Sequence, residues 1–417
     1  MTKPQTSRAC AVRLLTQVLN HGRTIERAET ADPGTQKLSE SDRQFVHLIL
    51  LTTVRRLGQI DAVLGRLLRK PLRGKLAPVN QILRISVAQY LFLKTPAYAV
   101  VNTAVELTRA LGFAGMTRLV NGVLRTLERQ ADSLAGTEVI QNIPLWLRQV
   151  WEAYYGPDMV RQTAEAVLIP PPLDITVAEN AADLARRWQG VVLPTGGVRV
   201  AAASPTELEG FQTGKCWVQN GAASVPAQLL GDVAGLRVAD LCAAPGGKTA
   251  QLAARGAHVA AYDISDKRLE RLRENMRRLG LENQVSVHCG DILTLTDRDI
   301  YDAVLLDAPC SATGTITRHP EVMYHQTPAD VARLAELQRQ MLRQAIALTK
   351  PGGKIVFSTC SLQPEEGDAV VQAMGDQITV MRPTDDRWKP FLTPFSSLRF
   401  LPAMGYDGFY ACLMRRH

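Results

Sequence analysis

The chain has 417 residues, 46% hydrophobic and 21% charged, an ordinary globular composition with room for two or three domains. Nowhere do about 18 apolar residues run together, and the first stretch carries Lys3, Arg8 and Arg13, so neither a membrane span nor a secretory signal is expected, and the protein reads as cytoplasmic. The formal net charge of +8 is uneven: residues 1–130 hold 20 Lys and Arg against 8 Asp and Glu, and the remainder holds 28 against 32. Fifteen of those twenty are arginine, which forks onto phosphate and stacks on bases, so a polyanionic partner is expected. A solvated helix face is the plainer account of any one basic stretch. The seven cysteines are unpaired in spacing, the nearest two, Cys289 and Cys310, lying 21 positions apart. They predict reduced thiols and no metal site.

From Thr6 to about Gln130 the apolar residues recur at helical spacing, as in Val12, Leu15, Val18 and Leu19 and again in Phe45, Leu48, Ile49 and Thr52. Ser39 to Asp42 reads as a helix cap, Gly58 as a break, Pro71 and Pro78 as brackets of a turn, and Pro96 as the separator of the last two helices. Those helices, Val101 to Arg109 and Leu119 to Leu127, are punctuated by Arg109, Arg118, Arg125 and Arg129. An all-α bundle with one RNA-facing side is expected over residues 1–130. Residues 131–235 are proline-punctuated, with short strand-like runs at Leu173 to Val177, Val198 to Ala201 and Cys216 to Gln219, and read as a small α/β connector without chemistry of its own.

Residues 236–417 alternate regularly. Strands are expected at Arg237 to Leu241, Val259 to Tyr262, Val285 to His288, Ala303 to Leu306 and Ile355 to Ser358, with helices after Gly247, over Lys267 to Leu279 and over Asp330 to Leu348. This is the pattern of a doubly wound α/β sheet. A late hairpin, Leu398 to Leu401 and Gly408 to Met414, would lie against the sheet edge.

Ligands of such sheets bind outside the carboxyl ends of the strands. After the first strand come Cys242, Ala243, Ala244, Pro245, Gly246, Gly247, Lys248 and Thr249, a glycine turn that a ligand can approach at a helix N-terminus. A phosphate loop would need glycine at the position of Cys242, and the dinucleotide G-x-G-x-x-G spacing is absent, which leaves a small adenosine-bearing cofactor. Asp263 ends the second strand 21 positions after Cys242, where an acid meets ribose hydroxyls, and Asp291 ends the third, suited to an adenine amino group. Capping the next helix is the plainer role for either. Further on, Ala303 to Leu306 leads into Asp307 and Cys310, and Ile355 to Ser358 leads into Thr359 and Cys360. A lone cysteine beside a strand usually packs, but two at strand ends would share one rim.

These residues carry a resemblance. Leu241 to Thr249, Gly290-Asp291, Leu306 to Gly314 with Arg318-His319-Pro320, and Ser358 to Glu366 closely resemble the S-adenosylmethionine-dependent RNA cytosine carbon-5 methyltransferases of the Nop/Sun class. Ser41 to Asp61 and Val120 to Arg125 resemble the RNA-binding antiterminator NusB. That pairing is characteristic of the bacterial Sun/Fmu (RsmB) enzymes, which modify 16S ribosomal RNA. The resemblance implies a Rossmann-like methyltransferase domain behind a NusB-like bundle, with S-adenosylmethionine as cofactor and RNA as partner. It also implies contacts to the cofactor or target base from Cys242 to Lys248, Asp263, Asp291 and Asp307. Gln219-Asn220 stands where the family usually has Gln-Asp, and Ser224 where glutamine is common.

The chemistry fits those groups. Cytosine carbon 5 attacks a methylsulfonium only after a thiolate has added to carbon 6, and a second thiol has a part in release. Spacing assigns neither role; the resemblance implies Cys360 as nucleophile and Cys310 as the releasing residue, with reversed roles as the alternative. Asp307 would hydrogen-bond the ring as charge develops, Lys248 would orient the turn or lower a thiol pKa, and Arg318 and His319 would grip phosphate or sit in a solvated loop. The same chemistry on transfer RNA or another ribosomal RNA, or a non-catalytic assembly factor, are the competing readings. Deleting residues 1–130 is expected to weaken RNA binding and flatten its salt dependence in a titration across ionic strength; unchanged affinity would remove the RNA role of that part.

Overall fold

A computed structural model describes residues 3–134, 136–178, 180–201 and 204–417. The chain divides into two units, the first running to Ile169 and including Ile316–His325, the second made of Pro170–Thr315 and Gln326–His417. Helices Leu145–Tyr155 and Pro157–Val167, inside the span expected to be a connector, fall in the first unit.

In the first unit, helices Lys3–His21, Glu40–Arg55, Ala77–Val87, Ala97–Ala110 and Thr117–Arg129 turn their apolar stripes inward, burying Leu14, Leu15, Ile49, Leu50, Ile82 and Leu83 together. Ser39 Oγ accepts from Asp42 N at 3.2 Å and starts Glu40–Arg55, as the cap sequence implies. Pro78 lies in the first turn of its helix and Pro96 just before the next, where a missing N–H breaks no bond. Arg109, Arg118, Arg125 and Arg129 are all exposed.

The break expected at Gly58 falls instead at Arg56, and Gly58 is the second residue of helix Leu57–Leu67. Its lack of a side chain serves packing: a Cβ there would stand 1.7 Å from the carbonyl oxygen of Gln141. The distant segment Ile316–His325 is built into the same unit. Glu321, wholly buried, accepts from Ile25 N at 3.1 Å; Arg55 donates to Thr317 O at 3.1 Å; Tyr324 Oη donates to Asn142 O at 3.0 Å.

The second unit opens with a small antiparallel sheet of β1 (Leu173–Val177), β2 (Val191–Val192), β3 (Val198–Val200) and β4 (Cys216–Val218), in the order β2-β3-β1-β4. The larger sheet comprises β5 (Arg237–Leu241), β6 (His258–Asp263), β7 (Val285–Cys289), β8 (Tyr301–Asp307), β9 (Thr349–Thr359), β10 (Ile378–Val380), β11 (Leu398–Phe400) and β12 (Phe409–Arg416). Its order is β10-β12-β9-β8-β5-β6-β7, parallel from β9 to β7, with β11 paired to β12. Alternate residues serve opposite faces: Val238, Val259 and Leu305 pack with Leu252, while Ala239, Val304 and Leu306 pack with Leu342 and Ala345 of helix Pro328–Leu348. The terminal hairpin forms and lies against the edge of the parallel strands, as expected: β12 pairs antiparallel with β9 from Tyr410↔Thr359 to Arg415↔Lys354, and β10 adds a strand beyond it.

Two glycines of one helix give a test of the packing. Gly58→Ala is expected to lower the melting temperature by many degrees, whereas Gly65→Ala, with nothing within 4 Å of its added Cβ, should be neutral or stabilising by up to about 1 kcal/mol. Equal melting temperatures, read by circular dichroism, would contradict the close approach.

Candidate active site

The winding of the large sheet reverses at β5, whose neighbours are β6 on one side and β8 on the other, and the crevice opens at its carboxyl end. Here Cys242 to Lys248 turns into helix Gly247–Ala254, with Gly246 at φ +102°, a conformation suited to glycine. The turn borders a cavity of about 320 Å³ walled by Trp217, Gln219, Asp240, Lys248 and Asp307. One oxygen of the fully buried Asp240 accepts from Thr249 Oγ1 at 2.6 Å, and the other has no hydrogen-bond partner among the described residues. Burial pushes the Asp240 carboxyl up to about 7 against the opposing Thr249 bond and Lys248 charge, with Asp307 and Asp263 adding to the rise. Across the cavity, Asp307 accepts from Lys248 Nζ at 2.8 Å and from Ser358 Oγ at 2.8 Å. Lys248 thus serves a carboxylate rather than a thiol, its ammonium 5.2 Å from the centre of the Phe409 ring.

The two rim thiols follow from strand register. β8 and β9 pair with Asp307 opposite Ser358, and Ala308 N donates to Ser358 O at 2.9 Å, so both loops leave the sheet side by side. Cys310 Sγ and Cys360 Sγ end 3.4 Å apart. The hydrogen bond to Cys360, then burial, push the Cys310 thiol well above its ordinary range, and the charges of Cys360 and Glu366 add to this. Cys310 therefore keeps its proton at neutral pH. Burial, together with Asp307, Asp263 and Asp240, pushes Cys242 up to about 12, so it too stays a thiol.

A buried carboxylate holds the rim. Glu366, 0% exposed, accepts from Ser311 N at 2.8 Å and Gln338 Nε2 at 3.0 Å through one oxygen, and from Ser361 Oγ at 2.5 Å and Ser311 Oγ through the other. Thr313 joins through Ser361 Oγ at 3.2 Å and Leu362 N at 3.0 Å. Gly314 N donates to Cys360 O at 3.0 Å, and a Cβ on Gly314 would lie 1.9 Å from Gly408 O, which closes the loop against the start of β12.

The structure thus gathers the turn Cys242 to Lys248 with Asp307 around one cavity and sets Cys310 and Cys360 together. Asp263 and Asp291 are placed otherwise. Asp263, 2% exposed, is engaged by Ala244 N at 3.2 Å, Ser265 N at 3.0 Å and Arg268 at 3.4 Å, while Asp291 caps the helical turn Ile292–Thr294 through Leu293 N at 2.9 Å. Arg318 and His319 lie half-buried in Ile316–His325, within the first unit. Sequence reasoning missed Asp240, Glu366 and the connector's share of the cavity. Gln219, expected to have no part, lies against Gly247 and is held by Trp217 Nε1 at 2.9 Å and Gln251 Oε1 at 2.8 Å. An acid interrupting the apolar run of β5 was the available signal for Asp240.

Residues 227–415 match the family described as 16S rRNA methyltransferase RsmB/F, and residues 5–129 match the NusB family. The ribosomal RNA small subunit methyltransferase B of Xanthomonas campestris is 32% identical over 437 residues, covering 98% of this chain and 96% of its own. The crystal structure of PH0851 superimposes with a TM-score of 0.76 at 21% identity, covering 98% of this chain and 99% of that one. That of NSun6 from Pyrococcus horikoshii with SFG has a TM-score of 0.60 at 20% identity, covering 66% and 98%. The chain belongs to the RsmB/F family of 16S ribosomal RNA methyltransferases, with a NusB-family region ahead of a Rossmann-like catalytic fold. Among the described residues no helix is long and apolar enough to cross a membrane.

Asp240 makes stability depend on pH in a stated direction. Its folded value of about 7 lies above the ordinary 3.8, so the native state binds the extra proton, and stability falls as pH rises from about 4 to 7 by up to about 1.4 kcal/mol per unit. Asp240→Asn is expected to gain on the wild type across that window and hold a constant lead above it, read from urea midpoints at pH 5 to 8. Parallel curves would show that Asp240 is charged throughout.

Proposed function

We propose that the protein transfers a methyl group from S-adenosylmethionine to carbon 5 of a cytosine in 16S ribosomal RNA through a covalent cysteine–cytosine intermediate. The observation that carries this reading is the pair of thiols, 3.4 Å apart in the loops that leave the adjacent strands β8 and β9, the first of which ends at Asp307. Residues 1–130 supply RNA affinity and residues 236–417 the chemistry. The cavity fits the cofactor: the partnerless oxygen of Asp240 and the carboxylate of Asp307 would hold its ammonium, and the turn Cys242 to Lys248 would lie along it. When bound, S-adenosylmethionine supplies the methyl group as an electrophile on sulfonium. Asp263 acts through the turn that it braces at Ala244.

The target cytosine enters unstacked, from a single-stranded stretch or by flipping. Cys360 Sγ adds to carbon 6, forming the S–C6 bond and moving an electron pair to carbon 5, which then takes the methyl group. Transfer of the carbon-5 proton to water then re-forms the C5–C6 double bond as the C6–S bond breaks and Cys360 leaves as its thiolate. Cys310, the S–H next to that sulfur, assists the release. Asp307, 32% exposed and steadied by Lys248 and Ser358, hydrogen-bonds the ring where charge develops.

The test is mass-spectrometric mapping of 5-methylcytosine in 16S RNA from cells with and without the protein. One cytosine is expected to lose its methyl group, Cys360→Ala should not restore it, and Cys310→Ala should trap a covalent RNA adduct that survives denaturing electrophoresis. No change in any 16S cytosine would overturn the substrate, and an adduct with Cys360→Ala in place of Cys310→Ala would reverse the roles.

A further inference from the structure

One face of the large sheet is incompletely covered. Helices Gly247–Ala254 and Asp266–Leu279 lie on one side, and Pro328–Leu348 packs on the other over β8 and β9. The crossover from β7 to β8, residues 290–300, contains only the turn Ile292–Thr294, so among the described residues of the second unit no crossover helix covers β6 and β7 on that second side. A groove of about 640 Å³ remains there. Tyr262 and His288 face each other across the paired strands, their rings stacked at 4.7 Å and 20°. Both rings are fixed: Tyr262 Oη shares a hydrogen bond with Tyr301 Oη at 2.8 Å, and His288 Nε2 one with Ser286 Oγ at 3.1 Å. The neighbouring Ala260 keeps the floor low, and exposed Arg237 and His258 stand at the rim with Asp297 as the acid among the described lining residues.

A preset ring pair on an open sheet, with the Arg237 guanidinium at its border, suits an unpaired nucleic-acid strand, whose bases stack on the rings while a phosphate meets the guanidinium. The rim is charged and the floor polar and aromatic, unlike the apolar centre of a protein interface. We propose that the strip over β6 and β7 binds an unpaired segment of the RNA substrate, one base stacking on His288 and Tyr262 and one phosphate meeting Arg237. This rests on the ribosomal RNA reading above, and extends it to a surface apart from the thiols and the cofactor cavity.

The experiment is a binding titration of the full chain with transcribed 16S RNA at several salt concentrations. His288→Ala is expected to weaken binding about tenfold with an unchanged slope of log Kd against log salt, because stacking releases no counterions. His288→Phe keeps a ring and should bind close to wild type, while Arg237→Ala should lower the slope by about 0.7. Wild-type affinity in His288→Ala, or equal weakness in His288→Phe, would overturn the proposal, the first result pointing to a protein partner for the strip. Methylation of the same RNA, followed in parallel, separates the two readings: a wild type that binds through His288 but methylates no 16S cytosine overturns the proposed function and leaves the strip standing.

Discussion

Everything at the rim depends on how one carboxylate is solvated in the absence of water. Glu366 is fully buried, and burial of a charge is tolerated only when hydrogen bonds replace its hydration. Its partners include the residue directly after each rim cysteine, Ser311 after Cys310 and Ser361 after Cys360. The requirement to satisfy this carboxylate therefore fixes the separation of the two sulfurs. Parallel pairing of β8 and β9 brings the loops close, and the Glu366 cluster sets their final registration.

The cavity at the glycine turn is organised by the opposite imbalance. Asp240, Asp263 and Asp307 surround the glycine turn, Lys248 meets Asp307 and Arg268 meets Asp263, and Asp240 has no cation at bonding distance among the described contacts. The region thus favours a positively charged ligand and disfavours a thiolate, which keeps Cys242 inert beside it. The adjacent thiols thus stand at the rim, and the acids Asp240 and Asp307 at the cavity beside the turn.

The sheet was legible where burial imposes continuous apolar runs, as in Val259 to Tyr262 and Ala303 to Leu306, and the thiol pair could be placed because strand ends follow from those runs. β10 escaped notice because three residues, Ile378–Val380, are too few to show a period, and its place at the edge comes from pairing with β12. The part played by Glu366 was not readable, since its partner Ser311 lies 55 positions away and a glutamate among polar residues looks like surface. Asp263 ends β6 and Asp291 follows β7, as spacing implies. Position along a strand locates an acid at the crevice, but local backbone N–H groups decide where its oxygens turn.

The first unit is discontinuous in sequence, and this bears on how the protein is made. The helices up to Ile169 leave the ribosome first, yet Ile25 meets Glu321 and Arg55 meets Thr317 only after Ile316–His325 has been synthesised. Vectorial folding, which ordinarily finishes the N-terminal part early, here waits for these contacts until half of the large sheet's strands, β5 to β8, have been made. A nascent chain that stalls before Ile316 would present an unfinished bundle to the quality-control machinery, so the arrangement couples completion of the helical part to translation through His325, well into the second unit.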